Sequence, residues 1–170
     1  MTREPGGTAA GERIRRIVLD PSLPNLDARA EVLLLLAARA QHVEEVIAPA
    51  LAAGRDVVCD RFSGSTVAYQ GYGRGLDPAE LDRLSDWASG GVRPDRVVLL
   101  QVAPDLARGR RQARGGDDRL EGESADFFER VERGFADLAR SDPARWRVVD
   151  GSGPVEEVAV RVLKAARFPK

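Results

Sequence analysis

The residues best suited to chemistry lie in one stretch, 57–75, which reads VVCDRFSGSTVAYQGYGRG. Its apolar start ends abruptly in Asp60 and Arg61, a pattern typical of a buried parallel strand that delivers two charges at its carboxyl end. In open α/β sheets, ligands bind at that edge. The hydroxyl, amide, phenol and guanidinium groups that follow suit a polar heterocycle and a phosphate. We therefore favour a binding site over the alternative, a strand followed by a plain surface loop.

The composition excludes several classes of protein. The chain has 170 residues, enough for one domain, and its net charge of -1 argues against a general binder of nucleic acid or anionic membrane. Its single cysteine, Cys59, excludes a disulfide framework and suits a reducing compartment. No apolar run approaches the length of a membrane span, and no signal peptide is recognisable. We expect a cytoplasmic protein that binds neither nucleic acid nor membrane.

The basic residues are almost all arginine, and the only lysines are Lys164 and Lys170. Neither follows a glycine and precedes a serine or threonine, so the sequence contains no P-loop of the Gly-Lys-Ser/Thr type.

Hydrophobic periodicity and end signals predict an α/β chain in which helices alternate with strands. The helix over 26–53 has an apolar centre at 32–38, which predicts deep burial or a subunit interface, and Pro49 is expected to kink it. The alternation predicts right-handed βαβ units and a parallel sheet, but three strands are few for so many helices. The predicted helices are 9–19, 26–53, 77–89, 104–114, 123–140 and 155–166, and the predicted strands are 56–60, 97–102 and 146–150.

Several single residues receive structural interpretations. His42, the only histidine, lies within a predicted helix, and no partner for it is evident. Cys59 is interpreted as a small buried strand residue rather than a nucleophile. The helical spacing of Phe127, Phe128 and Phe135 predicts core positions.

Six short blocks occur along the chain in an order that resembles the thymidylate kinase family. They are 3–8, 37–41, 60–62, 65–71, 93–95 and 118–121, which read REPGGT, AARAQ, DRF, STVAYQG, RPD and DRLE. The resemblance implies a three-layer, P-loop kinase-like α/β fold with a parallel sheet, in a homodimer. It also implies phosphoryl transfer from ATP, with Mg²⁺, to dTMP, which gives dTDP in dTTP synthesis.

The resemblance further implies roles for individual residues of the acceptor site. Arg61 would grip the dTMP phosphate, and Asp60 would act near the magnesium ion as the metal ligand. Arg39 would bond the phosphate or the thymine edge, and Arg3 would help to close the site. The base and sugar pocket would be lined by Leu35, Ser65, Thr66, Tyr69 and Gln70, with Tyr69 placed to disfavour a ribose 2'-hydroxyl.

A basic stretch corresponds to the family's mobile lid, which would cover about 107–122. Planar guanidiniums suit phosphate oxygens because they bind in bidentate fashion and stay charged. Gly115 and Gly116 would supply the hinge. A solvated helix face is the alternative. The lid residues would be Arg108, Arg110, Arg114 and Glu121, and the catalytic residues would include Arg111 and Arg119 beside Asp60 and Arg61.

The sequence departs from the family at its start and in the base pocket. The resemblance implies that the family's first strand, P-loop and first helix are missing, and this would account for the few strands. One alternative is therefore a truncated, catalytically inactive dTMP-binding or dimerisation remnant, for which phosphotransfer would stay at background level. Another is a related kinase with a different monophosphate substrate. In the pocket, the resemblance aligns Leu35 with the aromatic residue that stacks on thymine.

Leu35→Phe is expected to tighten dTMP binding, because stacking of an aromatic ring on a base is worth about 1–3 kcal/mol. Titration of dTMP into the wild-type protein and the variant would measure the change. An unchanged or weaker affinity would contradict the assignment of Leu35 to the pocket.

Overall fold

The computed structural model describes residues 1–103, 105–107, 109–110 and 118–167. The chain divides into a first unit, Met1–Arg93 with Asp118–Gly134, and a second unit, Pro94–Asp117 with Phe135–Lys170. The single domain over 1–170 stays a prediction. The proposed lid over 107–122 also stays a prediction, because residues 108 and 111–117 lie outside the described part.

The first unit begins with a short strand that the sequence patterns did not reveal. Strand β1, Thr2–Arg3, pairs in parallel with β2, Cys59–Asp60, and the Glu4 N–H continues the ladder by donating to the Asp60 carbonyl at 2.9 Å. None of the strands predicted from the sequence covers this opening segment. Strand β2 covers only the last two residues of the predicted strand over 56–60.

The long predicted helix consists of three helical segments that follow one another without a break. Helix α2, Ala28–His42, continues as the π-helical turn Val43–Ile47 and then as α3, Ala48–Ala52. Asp27 caps α2 by accepting a hydrogen bond from the Arg29 N–H at 2.9 Å. Proline cannot donate a backbone hydrogen bond, and Pro49 accordingly lies in the first turn of α3, just after the wide turn.

Residues 63–73, which lie in none of the predicted helices, are helical. Helix α4, Ser63–Thr66, runs directly into the π-helical turn Val67–Gly73, which we call the Tyr69 turn. Tertiary packing outweighs the weak helix propensity of its glycines and serines, since Val67 and Ala68 are buried. The helix escaped prediction because this packing comes from residues far away in the sequence.

Two further helices complete the first unit. Helix α1, Ala9–Leu19, has the predicted bounds and begins where the Thr8 hydroxyl accepts the Gly11 N–H at 2.9 Å. Helix α5, Pro78–Ala88, begins after Asp77 and packs its buried side chains, among them Leu81, toward α2.

Helix α6, Ala125–Ser141, starts in the first unit and ends in the second. In the first unit Phe127 is only 2% exposed, and its ring meets those of Tyr69 and Phe128 edge-on, with centroids 6.1 and 5.5 Å apart. The core position predicted for Phe127 is confirmed, and its ring packs against the Tyr69 turn.

The second unit contains its own parallel pair of strands. Strand β3, Val97–Gln101, pairs along its whole length with β4, Trp146–Asp150, and helix α7 covers Val155–Ala166. The parallel pairing is confirmed, but the described residues form two separate two-stranded sheets. Of the predicted helix over 104–114, residues 105–107 and 109–110 are helical, and the others lie outside the described residues. In the part of the chain that the structure describes, no helix is long and apolar enough to cross a membrane.

Gly73→Ala is expected to destabilise the protein by about 1–3 kcal/mol, because the new methyl group would overpack the core. A Cβ at Gly73 would lie 2.6 Å from Cε2 of Phe127. Urea unfolding would measure the loss. Gly122→Ala is the matched control, since its Cβ would have its nearest neighbour at 3.8 Å. Equal stability of the two variants would contradict the close approach.

Candidate functional site

Asp60 and Arg61 lie at the carboxyl end of β2, and both are exposed. Arg61 has a φ of 67°, in the left-handed region that a residue other than glycine rarely adopts. Its Nη2 donates to the Tyr69 hydroxyl at 3.4 Å, and its guanidinium carbon lies 5.0 Å from the centroid of the Tyr69 ring. The structure thus brings together two of the predicted site residues, Arg61 and Tyr69, around an exposed cation.

Arg39 is buried behind this edge, with 3% of its surface exposed. Its Nε donates to Glu4 Oε2 at 2.9 Å, its Nη1 to the Ser85 hydroxyl at 3.1 Å, and its Nη2 to the Thr66 hydroxyl at 3.0 Å. The guanidinium also lies 4.9 Å from the ring centroid of Phe62. Arg39 and Thr66 are therefore in contact, as predicted for one site. The donors of the Arg39 guanidinium, however, are already hydrogen-bonded to protein groups.

His42 extends this buried cluster toward β1. Its Nδ1 lies 3.2 Å from Glu4 Oε1, and its Nε2 lies 2.6 Å from the Thr2 hydroxyl. The expectation that His42 lacks a partner is wrong, because both partners come from the start of the chain rather than from its own helix. Gly7 packs against the imidazole, where a Cβ would lie only 2.7 Å from the ring.

A second buried cluster centres on Glu31, which has no exposed surface. Its carboxylate accepts from Gln70 Nε2 at 2.7 Å, from Arg74 Nη2 at 3.3 Å, and from Arg119 Nη2. Arg119 is also buried, and its Nε donates to the Val18 carbonyl at 2.9 Å. Gln70 and Arg119, predicted for the pocket and for catalysis, thus meet at a carboxylate that the sequence patterns did not single out.

Arg3 lies apart from these clusters, on the surface. Its Nη2 donates to both carboxylate oxygens of Glu12 at 3.1 Å. The backbone N–H of Gly7 is the largest cause that holds the pKa of Glu12 below its ordinary value; burial opposes it, and the Arg3 guanidinium lowers the pKa further. This exposed pair orders the loop between β1 and α1.

The other predicted site residues are less closely connected. Leu35 and Ser65 are half-buried on α2 and α4, and the Glu121 N–H donates to Asp118 Oδ1 at 2.8 Å. In the second unit, Arg110 Nη1 donates to the Gly151 carbonyl at 3.0 Å. Three further arginines lie outside the described residues: Arg108, Arg111 and Arg114.

Cys59 is held as a protonated thiol. Burial, followed by the negative charges of Glu4 and Asp60, raises its pKa to about 12. Its Sγ donates to the Arg61 carbonyl at 3.1 Å. A thiol with so high a pKa is a poor nucleophile, which agrees with a structural role.

Sequence reasoning missed the buried partners in both clusters. One signal was present, because a carboxylate within an apolar helical run, as at Glu31, must find a cation when it is buried. The identity of that cation could not be read from spacing. The missed residues are Thr2, Glu4, Glu31, His42, Arg74 and Ser85.

The solved structures identify the class of enzyme. A crystal structure of thymidylate kinase from Ehrlichia chaffeensis matches with a TM-score of 0.75 and 34% identity, over 96% of this chain and 76% of that one. The chain thus has the α/β fold of that nucleoside-monophosphate kinase, with Arg61 directly after the carboxyl end of a strand.

Sequence comparisons identify the family. The thymidylate kinase family model matches residues 1–162. Thymidylate kinase from Desulfovibrio desulfuricans is 49% identical over 97% of this chain and 79% of its own length, and the one from Methylococcus capsulatus is 48% identical over 95% and 76%. The chain belongs to the thymidylate kinase family. These matches confirm the resemblance but support neither a missing N-terminal segment nor an inactive remnant.

Glu4→Gln is expected to destabilise the first unit by about 3–5 kcal/mol, because it leaves the buried Arg39 without its anion. Glu12→Gln is the matched control, since the exposed Arg3–Glu12 pair is worth about 0–1 kcal/mol. Urea unfolding of both variants would check the difference. A loss for Glu4→Gln no greater than that for Glu12→Gln would show that the buried pair does not stabilise the fold.

Proposed function

We propose that this chain carries the acceptor site of an enzyme that transfers a phosphoryl group from ATP to dTMP and so makes dTDP for dTTP synthesis. Membership of the family supports this reaction. The geometry adds one observation that carries the proposal, an exposed arginine fixed at the carboxyl end of β2.

Arg61 would bind the phosphate of dTMP. A left-handed backbone costs a residue other than glycine about 1–3 kcal/mol, and such strain persists only where the surroundings enforce it. At this strained position the Arg61 guanidinium donates to the Tyr69 hydroxyl, and Asp60 directly precedes Arg61 in the chain. The planar fork of arginine matches two phosphate oxygens, so the geometry favours an anion at this position.

The nucleoside would lie beside the Tyr69 turn. Tyr69 would contact the sugar and disfavour a ribose 2'-hydroxyl, while Ser65 and Leu35 would line the base pocket. Arg39, Thr66 and Gln70 are buried against protein partners. These three residues would support the pocket from behind.

Magnesium would be held by Asp60 together with phosphate oxygens. Mg²⁺ commonly binds through one or two carboxylates and substrate phosphates rather than an all-protein cage. Asp60 fits this pattern, because it is exposed beside the arginine proposed to bind phosphate. The described residues contain no group of three or more His, Cys, Asp and Glu that could hold a metal ion. When bound, the metal neutralises charge on the phosphates during transfer.

We further propose a three-layer arrangement, a cytoplasmic location and a homodimer. Leu33 on α2 is 65% exposed and offers an apolar contact for a second copy, whereas Leu36 on the same helix is buried. The lid arginines, including the catalytic Arg111, would bind the phosphates of ATP, and Arg110 would belong to the same group.

The acceptor site can be tested without ATP. Calorimetric titration of the purified chain with dTMP should show binding, and Arg61→Ala should weaken it by about tenfold to a hundredfold, because a hydrogen bond to a charged group contributes about 1.5–3 kcal/mol. Arg83→Ala, which removes an exposed arginine from α5, is the matched control and should leave binding unchanged. Absence of dTMP binding by the wild-type chain would refute the proposal.

The donor reaction needs a separate measurement, because the sequence contains no Gly-Lys-Ser/Thr. Formation of dTDP from dTMP, ATP and Mg²⁺ can be followed by chromatography. Binding of dTMP with only background dTDP formation would favour the non-catalytic alternative. Faster turnover of another monophosphate in a substrate panel would favour a kinase with a different acceptor.

A further inference from the structure

Arg119 faces the protein interior rather than solvent. Its backbone N–H donates to the Leu19 carbonyl at 3.0 Å, and its Nε donates to the Val18 carbonyl at 2.9 Å. Its Nη2 donates to the buried carboxylate of Glu31. A guanidinium held by a carboxylate and a carbonyl is poorly placed to bind phosphate, which contrasts with the exposed Arg61.

Glu31 connects Arg119 to the Tyr69 turn through hydrogen bonds. Its Oε1 accepts from Gln70, which lies within that turn, and its Oε2 accepts from Arg74, which ends it. Arg74 also forms an ion pair with Glu123, with its Nη1 2.6 Å from Glu123 Oε1. Two arginines and two carboxylates therefore form a neutral cluster that fixes the turn at two points.

The Tyr69 turn contributes Tyr69 to the proposed acceptor site. Tyr69 directly precedes Gln70, and its hydroxyl accepts from the Arg61 guanidinium. A π-helical turn is wider and less regular than an α-helix, so its side-chain directions depend on outside contacts. A shift of Gln70 would consequently move Tyr69 relative to Arg61.

We infer that Arg119 is a positioning residue that acts through Glu31 on the Tyr69 turn, and so sets the affinity for the nucleoside monophosphate instead of stabilising the transferred phosphoryl group. This inference rests on the proposed function. It separates Arg119 from the other arginines that the sequence pattern grouped as catalytic.

The two roles predict different kinetic effects. Loss of an arginine that stabilises the transferred phosphoryl group would lower kcat by about a thousandfold or more and leave dTMP affinity nearly unchanged. Loss of a positioning arginine would weaken dTMP binding and leave kcat at saturating dTMP largely intact. A purely structural role would lower Tm without changing the affinity of the folded protein.

The test compares Arg119→Gln, Glu31→Gln and the double variant, with dTMP affinity measured in the absence of ATP. Each single variant should weaken dTMP binding by about tenfold, and the double variant should bind about as weakly as either single one, because residues in one network are not additive. Arg133→Gln, which changes an exposed arginine of α6, is the matched control and should bind dTMP as the wild type does.

Arg119→Lys keeps the test decisive if either glutamine variant fails to fold. Lysine retains the charge but lacks the fork that reaches both the Glu31 carboxylate and the Val18 carbonyl, so dTMP binding should weaken by a smaller factor. Wild-type affinity in all folded variants would overturn the inference, as would a fall in kcat with unchanged dTMP affinity. If the wild-type chain itself fails to bind dTMP, the proposed function falls first, and the inference with it.

Discussion

The first unit depends on one constraint: a charge removed from water must be paired inside the protein. Helix α2 carries Glu31 and Arg39, both almost fully buried, and each is neutralised by a residue from another segment. Removing one partner of such a pair commonly costs about 3–5 kcal/mol, because the remaining charge stays buried and alone. The two pairs therefore determine which segments can pack against α2.

This constraint matters more because the sheet of the first unit is so small. Strands β1 and β2 have two residues each, so their ladder contributes few hydrogen bonds. Glu4 follows β1 directly and binds Arg39, whose guanidinium lies over the ring of Phe62, just beyond β2. The side-chain network thus supports the end of the strand and the strained backbone of the adjacent Arg61 where the backbone ladder does not.

Local patterns predicted the fold best where the determinants are local. Helices α1 and α7 and strand β4 have the predicted bounds, since caps, periodicity and β-branched runs lie within the segments themselves. The helical character of 63–73 escaped prediction, because packing against Phe127 comes from more than fifty residues away and outweighs weak propensity. Strand β1 escaped because two residues carry no periodicity.

The site shows the same division between local and distant determinants. The positions of Asp60 and Arg61 followed from the end of an apolar run, whereas the partners of Arg39 and Arg119 lie 35 and 88 residues away. Residue type alone groups every arginine as a phosphate ligand, because the guanidinium is the same in each. Burial distinguishes them: an exposed arginine such as Arg61 can bind a phosphate, but a buried arginine bound to a carboxylate can act only through the residues that it holds in place.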